Sequence, residues 1–169
     1  MDGDLTGLIE NYYQTYSETV VKYILRKVLE GLAHLHSLGI IHRDIKSDNV
    51  LIDRQGQVKL ADFGFSCRLP DPHAVSRKSE VGTAAWMAPE LLRAAKPGYG
   101  TSIDIWSFGI LAIELANGEP PNLGKPIGYI AFQLLNGPPP VLNERWSPEF
   151  QSFVNTCLVK DPAERQNAE

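Results

Sequence analysis

The chain has 169 residues, 43% hydrophobic and 21% charged, with a net charge of −4. That length and balance suit one soluble globular domain with a real core, and the absence of a basic block argues against nucleic acid as a partner. No stretch reaches the ~18 apolar residues of a membrane span. No basic-then-apolar segment at the start reads as a signal peptide. Cys67 and Cys157 stand far apart with no CxxC neighbour. A disulfide or zinc site is therefore not expected, and a reducing cytoplasm or nucleus fits best.

In chain order, the first long element is "SETVVKYILRKVLEGLAHLHSL", residues 17 to 38. Its apolar positions Val20, Val21, Ile24, Val28, Leu32 and Leu35 have helical spacing. Thr15 and Glu18 are spaced as a capping box, and Gly39 is a natural stop. "GIIH" reads as a short strand. "NVLID" and "VKLADFG" flank "RQGQ", a hairpin pattern. Residues 64 to 100 carry Gly, Pro and Ser in irregular order, with one short helical piece at "PELLRAA". A loop that long is usually kept for function. "IDIWSFGILAIELANG" is apolar on nearly every face, so it reads as a buried helix ended by Gly118. "PPNLGKP" and "NGPPP" are turns. "SPEFQSFVNTCLV" closes the series as an amphipathic helix with Ser147 as cap and Pro148 at its first position. Neither repeats nor low-complexity tracts occur. The expected fold class is mainly α with a small antiparallel β component.

Polar residues cluster in "IIHRDIKSDNVLI", residues 40 to 52, between runs of branched aliphatics. His42-Arg43-Asp44 is followed by Lys46 and Asn49, then by Asp62-Phe63-Gly64 at the end of the second hairpin strand, then by Ala88-Pro89-Glu90. Each triplet alone is common by chance; the ordered set on these elements is a strong signal. The sequence resembles the eukaryotic protein kinase family, and specifically its C-terminal lobe, over essentially all 169 residues. "HRDIKSDNVLI", "VKLADFGFS", "GTAAWMAPE" and "DIWSFGILAIELANGEPP" resemble the sterile-twenty group of serine/threonine kinases, nearest the PAK branch.

The resemblance implies ATP and Mg²⁺ as cofactors and protein Ser/Thr hydroxyls as acceptors. It makes Asp44 the base for the attacking hydroxyl and sets the Lys46 ammonium against the transferring phosphoryl group. Asn49 and Asp62 become oxygen ligands for magnesium. Leu51 becomes the floor under adenine, and Thr83 the threonine that bonds the catalytic Asp and Lys. Arg43 is the expected receiver of an activation-loop phosphate, with Ser79 as the phosphosite. His42 and Phe63 are expected to pack beneath the site. Asp104 is expected to hold the catalytic loop through backbone hydrogen bonds, since a carboxylate in an apolar helix needs such partners. Glu90 and Arg165 are expected to pair. Ala84-Ala85, Gln166-Asn167-Ala168 and Gly7 depart from the group's usual residues.

The sequence contains neither a GxGxxGxV segment on a strand nor a VAIK-like lysine; "GKPIG" at 124 to 128 lies in a Pro-rich turn. Residues 1 to 169 are therefore expected to form a partial kinase domain, a C-terminal lobe starting just after the hinge and lacking the N-terminal lobe and the last helix. Two readings follow: the catalytic lobe of an ATP-dependent kinase, inactive when isolated, or a non-catalytic lobe serving as a docking or scaffold module. An upstream kinase or small GTPase would act through regions outside this chain.

Overall fold

The computed structural model describes residues 2–69, 84–93 and 98–168. Its centre is the helix α3 (Ser102–Asn117), in which every residue from Ile103 to Ala116 is buried. Trp106, Phe108, Ile110 and Leu111 leave almost no surface exposed, as an all-round apolar helix requires. Gly118 ends it at φ 90°, with its N–H on the Glu114 carbonyl. A Cβ there would meet the Tyr13 ring at 2.8 Å, so glycine serves both the left-handed turn and the close approach.

Around α3 lie, in chain order, β1 (Gly3–Asp4), α1 (Leu5–Tyr12), α2 (Glu18–Ser37), β2 (Ile40–Ile41), β3 (Val50–Ile52), β4 (Val58–Leu60), β5 (Cys67–Arg68), α4 (Ile127–Asn136) and α5 (Pro148–Cys157). Short 3-10 turns occur at Ser47–Asn49, Ala84–Trp86 and Pro89–Leu92. The fold is mainly α with two small antiparallel sheets, as the sequence implies. One sheet has the order β1-β3-β4, with Gly3 opposite Ile52 and Val50 opposite Leu60; the other pairs β2 with β5, Ile41 opposite Cys67.

The long amphipathic helix α2 buries Val21, Ile24, Leu25, Val28 and Leu32 against the core. Its cap differs from the expected one. Ser17 accepts the Val20 N–H, whereas the Thr15 hydroxyl turns back to the Tyr12 carbonyl. Glu18 is drawn off by a distant partner: its carboxylate accepts the backbone N–H and the hydroxyl of Ser147 at 2.8 and 2.5 Å. These bonds and Lys22, first among the causes, hold its carboxyl down at about 2. One residue thus joins the starts of α2 and α5.

The helices α1 and α4 and the strand β5 are additions to the sequence reading. Asp4 caps α1 by accepting the Gly7 N–H at 2.9 Å, and Leu5 and Ile9 are buried one turn apart. Helix α4 buries Ile130 and Leu134. Neither cysteine forms a disulfide, and burial pushes the Cys157 thiol up to about 11, which leaves it a core side chain. Among the described residues no helix is long and apolar enough to cross a membrane.

Candidate active site

The loop between β2 and β3 carries the polar cluster, and α3 holds it from below. Asp104 is fully buried. Its Oδ2 accepts the backbone N–H of His42 and its Oδ1 that of Arg43, both at 2.8 Å. His36 Nε2, from the last turn of α2, lies 2.8 Å from Oδ2. Three donors from two segments therefore meet one buried carboxylate, the condition under which such a group is tolerated. The clamp matters because Arg43 sits at φ 70°, a left-handed conformation that a long side chain adopts only when its surroundings impose it.

His42 ties this loop to the next. Its ring is fully buried, Nε2 lies 3.0 Å from the Ala61 carbonyl, and Nδ1 receives the Asp44 N–H at 3.4 Å. That pattern puts the proton on Nε2 and occupies both nitrogens, so His42 serves to join the loop to the end of β4. Phe63 departs from the packing expectation. Its ring packs tilted against His42 at 5.2 Å between centroids, yet it is 47% exposed.

Asp44 is buried and points into a small set of partners. Asn49 spends its amide N–H groups on Asp44, donating to the backbone carbonyl at 2.8 Å and to Oδ2 at 2.7 Å. Lys46 Nζ lies 3.3 Å from the same Oδ2. With its donors so committed, Asn49 has its amide oxygen left to offer, the atom type a hard cation prefers. The Asn49 carbonyl accepts the Ala61 N–H at 2.9 Å, extending the β3–β4 ladder by one step. Asp62 follows Ala61 in sequence, just beyond the end of the hairpin that Asn49 begins. Asp62 is exposed at φ 58° and its Oδ1 accepts the Gly64 N–H at 3.1 Å. Among the described residues no cluster of three His, Cys, Asp or Glu side chains is set to hold a metal. The residues nonetheless fit magnesium, which takes one or two protein oxygens and completes its shell with water and phosphate. Leu51, half-buried in the middle strand β3, pairs with Asp4 and Lys59.

Arg43 donates from Nε to the Phe65 carbonyl and from Nη1 to the Tyr99 hydroxyl at 3.0 Å, so its guanidinium faces the backbone that follows Asp62-Phe63-Gly64. Ser79 and Thr83 lie outside the described residues. Glu90 and Arg165 form a buried two-pronged pair, Nη1 to Oε1 at 2.7 Å and Nη2 to Oε2 at 3.0 Å. Arg165 also donates to the carbonyls of Ser102 and Val159, and its guanidinium stacks on Trp106 at 5.2 Å. The segment carrying Ala88-Pro89-Glu90 is thereby anchored to the start of α3.

Four residues were not singled out by sequence. His36 completes the Asp104 clamp. Ser47, Trp86 and Glu114 form a second buried knot: Glu114 accepts the Ser47 hydroxyl at 2.5 Å and the Trp86 indole N–H at 2.9 Å. Burial raises the Glu114 carboxyl to about 6. The signal for Glu114 was the one that exposed Asp104, an acid in an apolar helix.

The family model described as the protein kinase domain matches residues 1–169. The serine/threonine-protein kinase pakH of Dictyostelium discoideum is 46% identical over 160 residues, covering 94% of this chain and 30% of that protein. The serine/threonine-protein kinase ste20 of Aspergillus oryzae is 42% identical over 168 residues, 98% of this chain and 19% of that protein. The serine/threonine-protein kinase shk1/pak1 of Schizosaccharomyces pombe is 42% identical over 168 residues, 98% of this chain and 25% of that protein. The chain thus spans less than a third of the length of these relatives. These relatives are serine/threonine kinases of the Ste20/PAK type, and the chain belongs to the protein kinase family.

Proposed function

We propose that this chain supplies the catalytic lobe of an ATP- and Mg²⁺-dependent serine/threonine protein kinase acting in cytoplasmic or nuclear signalling. The observation that carries the reading is the Asp44 carboxylate, held at one oxygen by Asn49 and Lys46 on a loop whose backbone Asp104 fixes. A Ser or Thr hydroxyl oxygen of a protein substrate attacks the γ-phosphorus of ATP. The bond from that phosphorus to the β–γ bridging oxygen breaks, and the hydroxyl proton passes to Asp44. The Lys46 ammonium is close enough to Asp44 to meet the charge that moves onto the transferred group. Asn49 and Asp62 are the residues that would hold magnesium, which when bound neutralises phosphate charge. Leu51 would support the adenine, and Thr83 would bond Asp44 and Lys46.

The 169 residues contain no glycine-rich strand pair and no VAIK-like lysine. Under this proposal the grip on the α- and β-phosphates comes from a partner lobe, and this chain alone turns over negligibly, since positioning is most of phosphoryl-transfer catalysis. Regulation runs through Ser79, whose phosphate would replace the neutral acceptors now on Arg43 with a charged, two-pronged one. An upstream kinase or small GTPase would act through other regions. The second reading, a docking or scaffold lobe without phosphotransfer, is separated by metal dependence. In a protein joining this chain to a glycine-rich lobe, nucleotide binding should strengthen with Mg²⁺, and Asp62→Ala should remove most of that gain. Nucleotide affinity indifferent to both the metal and the substitution would exclude Asp62 and favour the docking reading.

A further inference from the structure

Helix α4 has few of the usual supports. Its ten residues are too short to hold a helix by propensity alone, and of them Ile130 and Leu134 are buried while Ile127, Tyr129 and Phe132 stay exposed. Pro126 precedes it without a side-chain cap. Gly137 follows it in an extended conformation, ψ −179°, in place of the left-handed turn with which Gly118 closes α3.

The last carbonyls of a helix need donors from outside it, and here one donor comes from beyond α5. The Lys160 ammonium donates to the Leu135 carbonyl at 3.1 Å and to the Gly137 carbonyl at 2.9 Å. A cation at that end also meets the negative pole of the helix dipole. Lys160 stands on a firm base. The Val159 carbonyl before it accepts Arg165 Nε at 2.8 Å, and the Asp161 carbonyl after it accepts the N–H groups of Glu164 and Arg165 at 3.1 Å. The turn that follows α5 therefore has two arms, Arg165 on Glu90 and Lys160 on the end of α4.

We infer that Lys160 is the latch of α4: the helix opens as a unit of its own while the rest of the fold stays closed, and the two bonds from the ammonium set how often it does. Helix α4 packs on the 3-10 turns at Ala84–Trp86 and Pro89–Leu92, so each opening uncovers the segment that carries Glu90. The latch needs neither nucleotide nor Asp44 and stands apart from the kinase reading. Its chemistry is specific. Methionine keeps most of the lysine stem and brings no donor, whereas arginine keeps both the charge and the donors.

The test is native-state amide exchange in the isotopically labelled 169-residue chain at low urea. In wild type the α4 amides should exchange at rates nearly indifferent to urea, because a ten-residue opening exposes little surface; the slowest α3 amides should accelerate with urea, because they open with the whole fold. Lys160→Met should speed the α4 amides by about 10-fold, the scale of one hydrogen bond to a charged group, and Lys160→Arg should stay within about 3-fold of wild type. Should Lys160→Met not fold, the wild-type side chain decides: the Lys160 Nζ protons should exchange at least about 10-fold more slowly than those of the exposed Lys125. Helix α4 amides that follow urea as those of α3 do, or that keep their wild-type rates in Lys160→Met, overturn the inference. So do Nζ protons that exchange equally fast at Lys160 and Lys125.

Discussion

Removing the Asp104 carboxylate should be among the most damaging single changes in this chain. Asp104→Ala strands the His42 and Arg43 N–H groups, each now bonded at 2.8 Å, and takes the partner from His36 Nε2. A buried donor left unpaired costs about 1–3 kcal/mol, and His42 is wholly buried. Part of this returns when Arg43, at φ 70°, relaxes from a conformation that costs about 1–3 kcal/mol to hold. The net loss comes to about 3–5 kcal/mol, a large share of the ~5–15 kcal/mol that stabilises a typical domain. Asp104→Asn keeps the volume but offers one acceptor oxygen to three donors and points an NH₂ at one of them, so it should lose more than half as much. Urea unfolding at neutral pH measures both, with amide exchange at His42 and Arg43 as the local readout. A loss below about 1 kcal/mol for Asp104→Ala, with those two amides still protected, would refute the clamp.

Arg165→Ala should destabilise by about 3–5 kcal/mol, because it leaves Glu90 as an unpaired buried charge and empties the space over Trp106; unfolding midpoints report it, and a near-neutral result would place the pair at the surface. Glu114 gives the stability curve a measurable slope. Its folded carboxyl is raised from 4.5 to about 6, so the folded chain keeps a proton that the unfolded chain releases. That contribution is full below about pH 4.5 and is lost as pH rises through about 6, by about 2 kcal/mol at ~1.4 kcal/mol per unit. The difference in stability between wild type and Glu114→Gln should fall by that amount across the window, and a flat difference contradicts it. Gly109→Ala should cost about 1–3 kcal/mol by overpacking, since its Cβ would meet Leu158 Cδ2 at 2.7 Å and Cys157 Cβ at 3.0 Å; a stabilised variant would show that the α3–α5 contact is looser than it looks.

The helices α2, α3 and α5 and the β3–β4 hairpin were legible because periodicity and turn chemistry act within a few residues. The gaps have physical causes. Helix α1 spans eight residues and α4 ten, both too short to stand without the core they pack on, and α4 lacks the capping serine that marks the equally short α5. Strand β5 is a Cys–Arg pair whose only reason to be extended is β2 across from it. Ser17 rather than Thr15 caps α2 because Glu18, the other half of the expected box, is committed to Ser147 far along the chain. In the site, Asp104 was readable as an acid in an apolar helix, yet its third donor, His36, is joined to it only by the packing of α2 on α3. Phe63 shows the reverse: the family resemblance put it beneath the site, yet it is 47% exposed, with a tilted ring contact to His42.

The central claim is that Asp44 takes the proton of the attacking hydroxyl. The most direct measurement is single-turnover phosphoryl transfer from Mg·ATP to a Ser-containing peptide, in a protein joining this chain to a glycine-rich lobe, for wild type and Asp44→Asn. The asparagine keeps the shape of Asp44 but does not accept that proton, so the transfer rate should fall by about 10²–10⁴-fold while nucleotide affinity stays near wild type. A variant that transfers phosphate at the wild-type rate would contradict the account.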